Sequence, residues 1–110
     1  MDCIFCKIIN KEIPSDIVYE NDKVIAFKDI SPKAPVHILV VPKKHIASID
    51  RIEEEDKELM GDLILAAKSM ARERRLKGYK LLINVGREGG QIVDHVHLHL
   101  ISGKNSINQL

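Results

Sequence analysis

The chain has 110 residues, with 17 Lys and Arg against 16 Asp and Glu and a formal net charge of +1. That length suits one domain with a single core and no need for disulfide staples. Near-neutral charge and the lack of a long apolar run argue against nucleic acid and membrane as partners.

Residues 3–9 are mostly apolar and predict a short N-terminal helix. They carry Cys3-Ile4-Phe5-Cys6, the chain's two cysteines. No basic start or long apolar leader precedes them, so the expected setting is a reducing cytoplasm. There a Cys-x-x-Cys pair reads as a zinc half-site, a redox motif or two ordinary reduced thiols. The redox reading is weakened because no strand leads into the pair.

Glu12-Ile13-Pro14-Ser15 predicts a turn. Residues 17–20 and 24–29 predict two strands, with the hairpin loop Glu20-Asn21-Asp22-Lys23 between them. The two prolines of Ser31-Pro32-Lys33-Ala34-Pro35 place it in a loop. The β-branched run 36–41 predicts a third strand, stopped by Pro42. Residues 45–51 connect it to a long helix over 53–76. Leu59, Met60, Leu63, Ile64, Ala67, Met70 and Ala71 recur there at spacings of three and four, giving one apolar face. Acidic residues open this helix and basic residues close it, as the helix dipole favours, and Gly78 is the expected stop. Residues 79–85 predict a fourth strand, 86–91 a glycine-rich loop and 93–101 a fifth strand. Lys43, Lys44 and the arginines at the helix end read as solvated surface charge. The order strand-strand-strand-helix-strand-strand, with short links, predicts an α+β fold. It would be an antiparallel sheet of about five strands packed with one long helix and the short N-terminal helix. One domain would span 1–110, with a polar tail after about residue 103.

The most informative stretch is His95-Val96-His97-Leu98-His99-Leu100. In a strand, side chains alternate faces, so three imidazoles would share one side and three aliphatic residues the other. Three readings are open. The rings could simply face water. A His-x-His pair could hold a catalytic zinc, with His37 or Asp94 as a third ligand. Or a neutral imidazole could attack phosphorus while its neighbours stabilise developing charge, with Gly89, Gly90 and Gln91 letting donors approach the phosphate.

The stretch resembles the His-φ-His-φ-His-φ-φ signature of the histidine-triad (HIT) superfamily, where φ is apolar. Phe27-Lys28-Asp29-Ile30-Ser31-Pro32, Pro35-Val36-His37, Val41-Pro42-Lys43-Lys44-His45, Asn84 and Gly89-Gly90-Gln91 are similar to its Hint-like branch of nucleoside phosphoramidate hydrolases. The resemblance runs from about residue 2 to 103 with compatible spacing.

It implies a hydrolase of purine nucleoside phosphoramidates or related nucleotidyl compounds. His97 would be the nucleophile, forming a nucleotidyl-histidine intermediate that water resolves to a nucleoside monophosphate. His99 and His37 would contact phosphate and stabilise charge. Asn84, Gly90 and Gln91 would sit near the phosphate, and Asp29 would take the ribose hydroxyls. Phe5, Ile8, Ile13, Phe27 and Ile30 would form the purine slot, although composition alone makes them plain core. The resemblance also implies a structural zinc on Cys3, Cys6, His45 and His95, no catalytic metal, and a homodimer joined through the long helix and a strand edge. Related readings are a non-catalytic purine nucleotide-binding or sensing module and a dinucleoside polyphosphate hydrolase. Two departures stand out. Where the Hint enzymes have a serine that helps protonate the leaving amine, this chain has Ile92, which can neither donate nor accept. Residues 103–110 also lack the tryptophan- and proline-containing tail of the animal enzymes.

Overall fold

The computed structural model describes residues 3–103. Helix α1 is Ile4–Ile9, and the strands are β1 Ile17–Glu20, β2 Val24–Lys28, β3 Val36–Pro42, β4 Lys80–Leu82 and β5 Leu98–Ser102. The long helix α2 is Lys57–Glu73. The strands form one five-stranded sheet in the order β1-β2-β3-β5-β4, every neighbouring pair antiparallel. The predicted α+β class is the observed one. The polar tail predicted after about residue 103 lies outside the described residues, 104–110 being undescribed.

Both faces of the sheet are covered, which explains why β2 and β3 read as unbroken apolar runs. Val24, Ala26, Ile38, Val40, Leu98 and Leu100 face α2 and pack on its Leu63, Ala66, Ala67 and Met70. Ile25, Phe27, Leu39 and Val41 face the other way and pack under α1 with Cys3, Phe5 and Ile8. The helix-facing side is therefore core, and α1 leaves room on the second face for a cleft. Among the described residues, no helix is long and apolar enough to cross a membrane.

Several boundaries differ from the sequence expectation, each for a local reason. Residues 54–56, predicted helical, form a separate 3-10 turn. There Asp56 accepts from the Glu53 amide at 2.8 Å and takes a 2.6 Å ion pair from Lys44. Lys44 is thus a tether for the start of α2, beyond the surface charge expected of it. Gly78 does not stop this helix. Arg75 does, in the left-handed region at φ 55°, with Leu76 N–H donating to Ala71 O and Arg75 N–H to Arg72 O, both at 3.0 Å. That pairing is a Schellman cap with a non-glycine residue at its left-handed position. Ile64, expected on the buried face, is 53% exposed, and the buried stripe runs instead through Leu63, Ala66, Ala67, Met70 and Ala71. The fourth strand is ladder only over Lys80–Leu82, as an edge paired to β5.

The predicted histidine strand begins five residues late, at Leu98. Before it the backbone leaves the ladder: His95 N–H donates to Val93 O at 2.9 Å and Val96 N–H to Ile46 O at 2.8 Å. The departure turns His95 away from its two neighbours and toward the cysteines.

Candidate active site and thiol-imidazole cluster

All five histidines of the chain fall into two groups. His37, His97 and His99 stand beside a cleft on the α1 face of the sheet. His45 and His95 meet the two thiols.

The cleft has a volume of about 320 Å³. Phe5, Ile8, Ile13, Phe27, Asp29, Ile30, Asn84, Gly90, His97 and His99 all line it. Phe5 meets His97 edge-on with ring centroids 5.1 Å apart and Phe27 at 5.4 Å. His97 and His99 are 5.0 Å apart. Gly90 sits at φ 88°, and a Cβ there would come within 3.2 Å of the Asn84 amide nitrogen. The Asn84 amide in turn donates to Gly89 O at 2.8 Å, which closes the loop against the cleft.

Hydrogen-bond partners settle where the protons lie, because backbone N–H groups can only donate and carbonyls can only accept. Lys33 N–H donates to His37 Nδ1 at 3.0 Å. Neutral His37 therefore carries its proton on Nε2, which donates to His99 Nδ1 at 2.9 Å. His99 must then be protonated on Nε2, a buried atom with no hydrogen-bond partner among the described residues. His97 Nδ1 lies 2.7 Å from the His95 carbonyl, so Nδ1 carries the proton and Nε2 keeps its lone pair. One imidazole thus offers a nucleophilic nitrogen and its neighbour an uncommitted N–H. Burial keeps the supporting rings neutral: it lowers His37 and pushes His99 down to about 4.

Two expected residues are not where the sequence suggested. His37 does not line the cleft. It backs onto a separate cavity of about 240 Å³ with Pro32, Pro35 and Arg74, and its contact with the cleft is the hydrogen bond to His99. Gln91 is buried, and its amide is fully used: Oε1 accepts from Gly86 N–H at 2.9 Å, and Nε2 donates to Ala47 O at 2.7 Å and Val93 O at 2.9 Å. It builds the loop and offers no side-chain donor to the cleft. Asp29 accepts from Ser31 N–H at 2.7 Å and lies 3.5 Å from His37 Nε2. Although Asp29, His37 and His99 cluster closely, a cation on His37 Nε2 would require a proton on Nδ1, facing the Lys33 N–H. The cluster is a hydrogen-bonded chain. Asp94, weighed as a metal ligand, is held by Arg87 at 2.9 and 3.1 Å.

Sequence reasoning missed Ile4, Pro14, Ser15, Lys28, Leu39 and Val93 as lining residues, and Ile92, singled out by the resemblance, lines the cleft as well. Leu39 had a findable signal, two residues after His37 and so on the same face of that strand; in the ladder it pairs with Phe27 and His99. The unbroken apolar run of β3 hid which face it takes.

The second group joins three segments. Cys3 caps α1, accepting from Cys6 N–H at 3.3 Å. His45 follows β3, and His95 precedes β5. The four ligand atoms lie within 4.8 Å of one another. Cys3 Sγ is 3.3 Å from His95 Nδ1, Cys6 Sγ 3.3 Å from His45 Nδ1 and 3.6 Å from His95 Nδ1, and the two Nδ1 atoms are 3.1 Å apart. Tetrahedral zinc with Zn–S and Zn–N bonds of about 2.3 and 2.0–2.1 Å sets such separations near about 3.3–3.6 Å. His95 Nε2–H donates to Pro42 O at 2.8 Å, which leaves its Nδ1 lone pair aimed into the cluster. Burial pushes His95 down to about 4 and, with Cys3 alongside, pushes the Cys6 thiol up to about 11. Two thiols and two imidazoles converging on one point are the donor set of a soft divalent cation.

A family model described as "Scavenger mRNA decapping enzyme C-term binding" matches residues 2–110. An uncharacterized HIT-like protein of Synechococcus elongatus is 50% identical over 105 residues, covering 94% of this chain and 92% of that protein. The purine nucleoside phosphoramidase of Escherichia coli is 45% identical over 105 residues, covering 94% and 88%. The crystal structure of a HIT family hydrolase from Legionella pneumophila superposes with a TM-score of 0.93 at 44% identity, covering 98% of each chain.

Proposed function

The chain belongs to the histidine-triad family of nucleotide hydrolases, and from that premise we propose that it hydrolyses purine nucleoside phosphoramidates and related nucleotidyl compounds through an intermediate on His97. The observation that carries this reading is the 2.7 Å bond from His97 Nδ1–H to the His95 carbonyl. It leaves the Nε2 lone pair as the free nucleophile of a ring that lines the cleft. The name of the Escherichia coli relative supports the substrate class.

In the proposed reaction the purine lies among Phe5, Ile8, Ile13, Phe27 and Ile30, and Asp29 accepts from the ribose hydroxyls. His97 Nε2 bonds to the α-phosphorus, and the P–N bond breaks with its electron pair on the leaving nitrogen, which takes up a proton. His99 Nε2–H donates to a non-bridging oxygen as charge develops, the kind of fixed donor that lowers such barriers most. Water then attacks phosphorus, the N–P bond breaks, and nucleoside monophosphate leaves with His97 neutral again. His37 positions His99 and does not itself touch phosphate.

We further propose that Cys3, Cys6, His45 and His95 hold a structural zinc. With four protein ligands it would be closed to substrate and would supply no chemistry to the reaction. Its effect would be to fix α1, and with it Phe5, against the lead-in to β5. The thiols in this cluster need a reducing compartment, which supports a cytoplasmic setting. Exposed Ile64 and Leu65 on α2 and Leu81 on the edge strand support a homodimer through that face.

The test is release of AMP or GMP from the corresponding 5′-phosphoramidates, with mass spectrometry of quenched enzyme. Turnover together with a nucleotidyl adduct on His97, both lost in His97→Ala, is the expected result. Tight nucleotide binding without turnover would instead establish a binding module, and a strong preference for diadenosine polyphosphates would move the leaving group to a nucleotide.

A further inference from the structure

Ile92 lines the cleft yet is 84% exposed. Its place follows from the loop: Gln91 is anchored at three points, and the next residue is carried out to the rim. His97, by contrast, is only 7% exposed and sits at the floor.

An in-line displacement puts the leaving group on the side of phosphorus opposite the attacking nitrogen. With the nucleophile on the floor, the leaving group points toward the mouth. With the purine proposed among Phe5, Ile8 and Phe27, against which Val93 also packs, the leaving group at the mouth is left to meet Asn84, Gly90 and Ile92 among the lining residues. Of these three, Ile92 carries the large apolar side chain, and it is mostly exposed. We infer that Ile92 is a specificity residue that selects nucleotidyl substrates whose leaving group carries an alkyl or aryl body. This rests on the hydrolase reading above and narrows it to a substrate class.

The physical basis is mutual burial. An apolar leaving group laid over Ile92 removes both surfaces from water, and a hydroxylated one gains less because its hydroxyl loses water without gaining a partner. Ile92 has no proton to give, so the departing nitrogen receives the broken bond's electron pair and takes its proton from solvent.

The test uses adenosine 5′-phosphoramidates of two amines with equal numbers of heavy atoms, N-butyl and N-(3-hydroxypropyl), on wild type, Ile92→Ala and Ile92→Ser. The expected ratio of kcat/KM, butyl over hydroxypropyl, is about tenfold in wild type, the scale of discrimination an apolar contact provides. Both variants should bring the ratio to within about twofold of one. Ile92 is so exposed that neither substitution disturbs the core. A wild-type ratio near one, or a ratio that survives both substitutions, overturns the inference and leaves the hydrolase reading standing. Absence of turnover with either compound in wild type overturns both.

Discussion

Replacing His37 with Phe keeps a ring of similar size and removes both nitrogens. The 2.9 Å donor to His99 Nδ1 and the acceptor for Lys33 N–H disappear together. His99 is then no longer compelled to carry its proton on Nε2, the nitrogen assigned to the phosphate. Leaving a buried polar atom without its partner costs about 1–3 kcal/mol. If that cost falls on the productive tautomer, the rate drops by about 5- to 150-fold. The expected result is kcat lowered about 10- to 100-fold with a much smaller change in KM, because base and ribose contacts survive. Some activity should remain, since His97 keeps its own bond to the His95 carbonyl. Steady-state release of nucleoside monophosphate measures the first quantity, and ¹⁵N shifts of the His99 ring report which nitrogen is protonated. A kcat within twofold of wild type, or wild-type spectra with the His99 proton on Nδ1, would refute the relay.

Protein purified without chelator should contain one zinc per chain, and Cys6→Ser or His45→Ala should lose it. Chelation should lower the unfolding free energy by about 3–4 kcal/mol if free zinc stands at 100–1,000 times its dissociation constant, and zinc-free protein with unchanged stability would count against the cluster. The His99 imidazole, held down to about 4 by burial, stays neutral while the unfolded chain protonates near 6.5. Its contribution is therefore complete above about pH 6.5 and is lost as pH falls toward 4. Full burial would make that loss about 3 kcal/mol, and solvent in the open cleft reduces it to about 1–2 kcal/mol. The loss of unfolding free energy from pH 7 to 4.5, measured by urea titration, should be larger in wild type than in His99→Gln by this amount, and equal losses would refute it. Arg75→Gly should stabilise the fold by about 1 kcal/mol by relieving the left-handed residue that caps α2; a destabilised variant would show that Arg75 does more than cap.

Much of the site was legible as pattern. Period two along 95–100 put Val96, Leu98 and Leu100 into the core under α2 and His97 and His99 into the cleft. The ends of elements were less legible. Gly78 looked like a helix stop by composition, yet the stop lies at Arg75, where hydrogen bonds to Ala71 and Arg72 outweigh the cost of a left-handed non-glycine residue. Gln91 and His37 carried polar groups that could serve phosphate, and nothing in a linear string says which neighbours claim those groups first.

Alternation, helical spacing and the kinds of side chain present were enough to specify an α+β sheet, its apolar faces and an imidazole-rich strand, because these depend on residues near one another along the chain. Proton positions and the exposure of Ile92 were decided only by tertiary structure. The contacts that decide them include pairs far apart along the chain: His99 with His37, Pro42 with His95, Ala47 with Gln91. A hydrogen bond has one donor and one acceptor, and which pair forms is known only once the fold has brought them together.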